Sequence, residues 1–175
     1  MTMNNNITLI GMPGAGKSTL GVVLAKRLGY RFVDTDLLIQ EGTDKLLCEL
    51  IAEHGTEGFK KIENDMLAGI ECERHIIATG GSAVYGDEAM RHLRALGPVV
   101  FIDITPAEMR RRLGPDLAAR GVVMKEGFTL QDLYDERHPL YERYADIVVD
   151  TSDVDTRTAV EMVERALVER GDING

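Results

Sequence analysis

The sequence predicts an α/β fold in three layers, with helices on both faces of a five-stranded parallel sheet. Three observations carry that prediction. Five short apolar runs, at Ile7–Ile10, Arg31–Val33, His75–Thr79, Pro98–Ile102 and Ile147–Val149, alternate with segments of helical period. The runs are nearly continuous in apolar character, the pattern of strands covered on both faces. Strand and helix alternating along a chain build parallel sheets. At 175 residues, 44% hydrophobic and 28% charged, the chain has the size and composition of one globular domain, taken as residues 1–175.

Each element has its own signal. Ile7-Thr8-Leu9-Ile10 ends at Gly11 and reads as a buried strand. From Lys17 the period turns helical, with Leu20, Val23, Leu24 and Leu28 on one face and Gly29 as the stop. Arg31-Phe32-Val33 is the second strand and ends in Asp34-Thr35-Asp36. Leu46 to His54 and Glu57 to Cys72 read as two helices parted by Gly55. His75–Thr79 runs as a strand into Gly80-Gly81, and Asp87 to Leu96 is helical. The strand Pro98–Ile102 closes at Asp103. Thr105-Pro106 then starts a helix, with a side-chain cap and a proline where no N–H is needed. Thr129 to Asp132 has the form of another capped start, with a kink or restart expected at Pro139. Ile147–Val149 is the last strand, and Val160, Val163 and Leu167 give the last helix its apolar face. Between Leu113 and Phe128 the pattern fails. Gly114, Pro115, Gly121 and Gly127, with Arg120 and Lys125 but no core face, read as a mobile lid over residues 113–128.

Composition excludes several functions. Lys and Arg total 20 and Asp and Glu total 29, a net charge of −9, which argues against a nucleic-acid or anionic-membrane surface. Within Ala107–Lys125, however, five basic residues face two acids, so a small anion held by a few cations stays compatible. Cys48 and Cys72 form no Cys-x-x-Cys and read as reduced thiols. His54, His75, His92 and His138 have no metal-ligand spacing. The start Met1–Asn6 is polar, unlike a signal peptide, and no apolar run approaches the roughly 20 residues of a membrane span. The expectation is a cytoplasmic monomer.

Gly11-Met12-Pro13-Gly14-Ala15-Gly16-Lys17-Ser18 fits Gly-x-x-x-x-Gly-Lys-Ser at every fixed position, after a strand and before a helix. Gly11, Gly14 and Gly16 let the backbone curl so that successive N–H groups face phosphate oxygens. The loop, with Ala15 and Thr19, is thus an ATP site in a P-loop fold. Lys17 is placed to reach the β- and γ-phosphates, and the Ser18 hydroxyl to ligate Mg2+. No Asn-Lys-x-Asp guanine-reading sequence occurs, and motors are usually longer, which leaves a small kinase. Asp34 and Asp36 stand at a strand's C-terminal edge, where ligands bind in open parallel sheets. One carboxylate can hold magnesium water and the other an acceptor hydroxyl.

The chain resembles the shikimate kinase family, in the nucleoside-monophosphate-kinase-like branch of P-loop proteins, from Ile7 to about Thr151. The likeness rests on Gly11–Thr19, Asp34-Thr35-Asp36, Gly58-Phe59-Lys60-Lys61-Ile62-Glu63, Thr79-Gly80-Gly81 and Arg137-His138-Pro139-Leu140-Tyr141. It implies phosphorylation by ATP of a hydroxyl on a small carboxylate, shikimate first among the acceptors. It also implies roles for individual residues: Asp34 would order magnesium, Asp36 would bind the acceptor hydroxyls and receive the proton, and Phe59 would be a pocket wall. Glu63 would steady the pocket's basic side chain, and Gly80 and Gly81 would approach the acceptor. The lid arginine would be Arg120, the acceptor's carboxylate would lie on Arg137, and Arg112 would lie against adenine.

Several positions depart from the family pattern. Lys60 stands where arginine is usual, Ser82 where a third glycine is usual, and Gly121 where proline usually follows the lid arginine. Ser152-Asp153-Val154-Asp155 replaces a basic, proline-containing adenine loop. Lysine is a point charge and lacks the bidentate fork of arginine. Lys60 and Ser82 are expected at the acceptor pocket, and so leave open a kinase for another hydroxy acid or hydroxy amino acid. A nucleotide-binding regulatory module without turnover is the remaining alternative; against it, Lys17, Ser18, Asp34, Asp36 and Arg120 occur together. Lys17→Ala is expected to abolish acceptor-dependent ADP release while leaving the thermal unfolding midpoint close to that of the parent; retained turnover would remove the phosphate-loop assignment.

Overall fold

The apolar runs pair side by side in a computed structural model that describes residues 5–115, 117 and 120–174. The strands are β1 (Ile7–Ile10), β2 (Arg31–Asp34), β3 (His75–Ala78), β4 (Val99–Asp103) and β5 (Ile147–Asp150). All pairs are parallel, in the order β2-β3-β1-β4-β5. The helices are α1 (Lys17–Leu28), α2 (Thr35–Thr43), α3 (Leu47–Ala68), α4 (Asp87–Leu96), α5 (Pro106–Leu113), α6 (Leu130–Tyr144) and α7 (Thr156–Arg170), with a 3-10 turn at Ala83–Tyr85. The buried cluster joins β1, β3 and β4 to Leu20 and Leu24 of α1, Leu93 of α4, Tyr141 of α6 and Val160 and Val163 of α7. Continuous apolar character marks two-face burial only for β1, β3 and β4. The edge strands β2 and β5 have one neighbour each and stay partly open, with Val148 at 54% exposure.

Four local outcomes differ from the sequence reading. First, Asp34-Thr35-Asp36 is not only a strand end. Asp34 caps α2, accepting from the N–H groups of Asp36 at 2.9 Å and Leu37 at 3.4 Å. The apolar triplet Leu37-Leu38-Ile39 fits either period, which hid this helix. Second, α3 kinks at Gly55 (φ 70°, ψ 176°), as expected, but ends at Ala68, short of Cys72. Third, α6 runs through Pro139 without a restart. Fourth, the stretch expected to be a lid is anchored at one end. Leu113 ends α5, and beyond it the described residues form no helix or strand, yet Val123 is buried in the core. Gly121 sits at φ +64°, and a Cβ there would lie 3.0 Å from the Leu47 Cβ. Proline, fixed near φ −65°, cannot take that conformation, so the glycine in its place follows from the backbone. Positions 116, 118 and 119 of that stretch, and the polar start at 1–4, lie outside the described residues.

Cys48 and Cys72 are unpaired thiols. No described helix is long and apolar enough to cross a membrane. At the N-terminal end of the sheet, the buried Asn6 ties β1 to β3. Its amide donates to the Cys72 carbonyl at 2.7 Å and accepts from the His75 N–H at 2.9 Å. Gly97 permits this, because a Cβ there would stand 1.9 Å from the Asn6 carbonyl oxygen. Gly97→Ala must therefore displace β1 or β4. It is expected to cost roughly 3 kcal/mol or more, read as a lower denaturant midpoint.

Candidate active site

Neighbours of β1 lie on opposite sides of it, β3 and β4, so a crevice opens beyond its C-terminal end. The loop Gly11–Gly16 fills that crevice and leads into α1. Gly14 (φ +80°) and Gly16 (φ +86°) take left-handed conformations, and a Cβ on Gly11 would strike the Ile102 carbonyl oxygen at 2.5 Å. Lys17 is buried, and its Nζ donates to the carbonyls of Gly11 at 2.7 Å and Met12 at 2.8 Å. Burial lowers its pKa to about 8, against the opposing pull of Asp36. Thr19 lines the same cleft, and the Ala15 carbonyl accepts from Arg112 Nη1 at 3.2 Å.

The two aspartates divide as their chain positions require. Asp34 Oδ1 caps α2, and Oδ2 accepts from the Ser18 hydroxyl at 2.5 Å. Two hard oxygen donors thus meet beside the phosphate loop, a donor set that fits Mg2+ shared with phosphate oxygens and water. Asp36 instead faces the cleft, and desolvation, then the charge of Asp34, raises its pKa to about 6. Glu63, from α3, is buried and pushed to about 7, chiefly by desolvation. It accepts from the Ser82 hydroxyl at 2.5 Å, while its Oε1 has no partner among the described residues. Gly80 lies between these acids: a Cβ would meet Asp36 Oδ1 at 2.6 Å and Glu63 Oε1 at 2.9 Å. A Cβ on Gly81 would meet Pro13 at 2.8 Å and Arg137 Nη1 at 2.9 Å.

A cleft of about 360 Å³ gathers Gly14, Gly16, Lys17, Ser18, Thr19, Asp36, Phe59, Gly80, Gly81, Ser82, Arg120 and Arg137. Phe59 and Arg137 are each 1% exposed, whereas Arg120 is exposed at the rim. Lys60 does not join them. Its ammonium pairs with Glu57 at 2.8 Å and lies 4.0 Å from the centre of the Tyr85 ring, outside the cleft wall. Glu63 takes its hydrogen bond from Ser82 and none from a basic side chain, while the charges of Arg137 and Lys17 act on it through space. Arg112 reaches from Glu108 to the carbonyls of Ala15 and Thr151 and lines a small hollow with Gly16 and Val154. Arg110, Arg111 and Arg112 are less free than the charge count implies. Hydrogen bonds from Arg111 and then Arg112 hold the Glu108 carboxyl down to about 2.

Several supporting residues escaped the sequence reading. The Thr35 hydroxyl accepts from the Gly80 N–H at 3.2 Å, and the Tyr141 hydroxyl donates to the Gly81 carbonyl at 2.5 Å. Both hold the glycine turn in place. Leu47, Val122 and Val123 close the apolar side of the cleft. Tyr141 stood inside a quoted motif and was discoverable; Leu47 and Val123 carried no signal beyond hydrophobicity.

A parallel sheet whose first strand feeds a glycine loop with a buried lysine, an Asp–Ser pair beside it and a desolvated acceptor cleft together define a P-loop phosphotransferase. The shikimate kinase family model matches residues 13–167. The chain belongs to the shikimate kinase family. It is 36% identical over 173 residues to a shikimate kinase of Vibrio parahaemolyticus, covering 97% of this chain and 100% of that protein. It is 32% identical over 173 residues to shikimate kinase 2 of Yersinia enterocolitica, covering 94% of this chain and 95% of that protein. Its fold matches the Acinetobacter baumannii shikimate kinase solved in complex with shikimate, at TM-score 0.81 and 25% identity, over 95% of this chain and 94% of that one.

The raised carboxyl groups carry a sign for stability. The folded ligand-free chain binds a proton on Glu63 more tightly than the unfolded chain does, so this stability is present below pH 4.5 and lost as pH rises through about 7. Glu63→Gln is expected to flatten that fall by a few kcal/mol, roughly the worth of the shift. Urea denaturation of parent and variant at pH 5 and 8 measures it; parallel slopes would show that Glu63 is not the group responsible.

Proposed function

We infer that the protein transfers the γ-phosphoryl group of ATP to a hydroxyl of shikimate, giving shikimate 3-phosphate and ADP. The observation that carries this reading is the convergence of Lys17, Asp36, Gly80-Gly81 and Arg137 on one desolvated cleft beside the phosphate loop. ATP lies with its phosphates on the N–H groups of Gly14–Thr19 and its base toward Arg112. Lys17 exchanges the carbonyls of Gly11 and Met12 for phosphate oxygens, which restores the partner its burial lacks. Arg137 takes the acceptor's carboxylate beside Gly81, and Phe59 and Ser82 bound the ring.

Asp36 then faces the hydroxyl that reacts. The hydroxyl oxygen forms a bond to the γ-phosphorus, the bond from that phosphorus to the bridging oxygen breaks, and the bridging oxygen leaves with ADP. The hydroxyl proton passes to Asp36. The transition state is loose and carries its charge on equatorial oxygens, so positioned cations do most of the work. Lys17 supplies one and Arg120, drawn in from the rim, the other. Ser18 and Asp34 would hold Mg2+, which when bound neutralises the β- and γ-phosphate oxygens. All these groups come from one chain, in keeping with a single-domain monomer of residues 1–175 working in the cytoplasm.

ADP release with magnesium-ATP and a panel of hydroxy acids tests the acceptor. Turnover on shikimate is expected, and turnover confined to another acceptor would reassign the cleft. Asp36 must be ionised to take the proton, so kcat/KM should rise with pH through about 6 and level above it. Asp36→Asn should lower kcat by roughly 10²–10⁴ and remove that limb. A variant keeping more than a tenth of the parent kcat would take the base away from Asp36.

A further inference from the structure

Tyr85 has no role in the reading above, yet it touches the residue given to the acceptor's carboxylate. It closes the 3-10 turn that follows Gly80-Gly81, and its hydroxyl has two neighbours. It donates to Glu136 Oε1 at 2.6 Å, and it accepts from Arg137 Nε at 3.2 Å. A phenol has one proton to give. With that proton committed to Glu136, the oxygen can only accept from Arg137. Glu136 is itself paired with Lys125, at the far end of the segment over the cleft. Arg137 Nη2 donates to the backbone carbonyl of Val123, in the same segment.

These contacts consume one edge of the guanidinium. Nε and Nη2 share that edge, and both are engaged, by Tyr85 and by Val123. Nη1 lies beside Gly81 in the cleft, and the Tyr141 hydroxyl, which donates to the Gly81 carbonyl, is the guanidinium's other polar neighbour there. A carboxylate arriving there meets the guanidinium at Nη1, with Nε and Nη2 already engaged. The side-on approach through Nε is closed.

The same ring explains where Lys60 goes. Its ammonium sits 4.0 Å from the centre of the Tyr85 ring and bonds to Glu57, outside the cleft. A ring face holds a cation there at low cost. Glu63 takes its hydrogen bond from the Ser82 hydroxyl and not from Lys60. The positive charge met by a carboxylate is then that of Arg137 in the place Tyr85 gives it.

We propose that Tyr85 is a positioning residue for acceptor binding, fixing Arg137 so that it receives the acceptor's carboxylate end-on, and that Lys60 has no part in that grip. The inference rests on the functional reading above and concerns one step of it. Tyr85→Phe keeps the ring and the turn but removes the hydroxyl. It is expected to raise KM for shikimate about tenfold, or about 1.4 kcal/mol, with kcat within twofold and KM for ATP unchanged. Shikimate's neutral carboxamide supplies the reading that a merely structural role would not move. The parent's preference for the carboxylate over the carboxamide should fall about tenfold in Tyr85→Phe, whereas a general loosening of the site weakens both substrates alike. Unchanged KM for shikimate, or equal losses on the two substrates, overturns the proposal. A tenfold rise in KM on Lys60→Ala also overturns it, because that gives the carboxylate to Lys60. A parent enzyme that does not turn over shikimate overturns the functional reading, and this inference with it. A parent that does, beside an unaffected Tyr85→Phe, overturns the inference alone.

Discussion

Charge buried without a full counter-charge is the constraint on which the rest of this structure depends. Lys17, Asp36 and Arg137 line a cleft that excludes much of the water they would otherwise have, and Glu63 is buried behind it. Desolvation lowers the lysine toward about 8 and raises the carboxyls toward about 6 and about 7. The two cations then lean on the backbone. Lys17 has two carbonyls of its own loop, and Arg137 has the Val123 carbonyl. A polyphosphate and a hydroxy acid complete these partial pairings, so the cost of keeping charges dry becomes binding energy when substrates arrive.

The same constraint explains the glycines. Charged groups converge only if the backbone between them carries no side chain. Gly80 runs between two carboxylates, and Gly81 between Pro13 and a guanidinium, with less than 3 Å to spare for a Cβ at either position. Thr35 and Tyr141 then hold the turn through its N–H and its carbonyl, so that the acids face a fixed backbone.

The departures from the family pattern prove to be linked in space. Ser82 gives Glu63 a buried hydroxyl as partner, Lys60 rests on Tyr85 and Glu57, and the phenol oxygen of Tyr85 faces Arg137. These positions span 78 residues of sequence numbering, from Lys60 to Arg137, yet they form one set of contacts around the acceptor side of the cleft. Gly121 is a separate adjustment, a backbone conformation that lets the segment over the cleft pack against Leu47.

Much of this was legible in the sequence. Five apolar runs with helices between them specify a parallel sheet, because a crossover must return the chain to the same edge, and the loop Gly11–Ser18 specifies phosphate because its residue types are those a curled backbone needs. Local chemistry of that kind acts over a few residues and can be read from them. What the sequence could not fix was direction. Lys60 and Glu63 lie three apart on a helix, the spacing of a surface pair, and nothing local says that one turns out to Glu57 while the other is buried against Ser82. Tyr85 belongs to no motif of the sequence, and Val123 falls within the stretch read as a mobile lid. Which way a side chain points depends on partners brought in by packing, here from α3, the turn at 83–85 and α6. The sequence determined the fold and the nucleotide loop; only the tertiary structure decided which basic side chains face the cleft, because that choice is made by contacts among segments far apart in the chain.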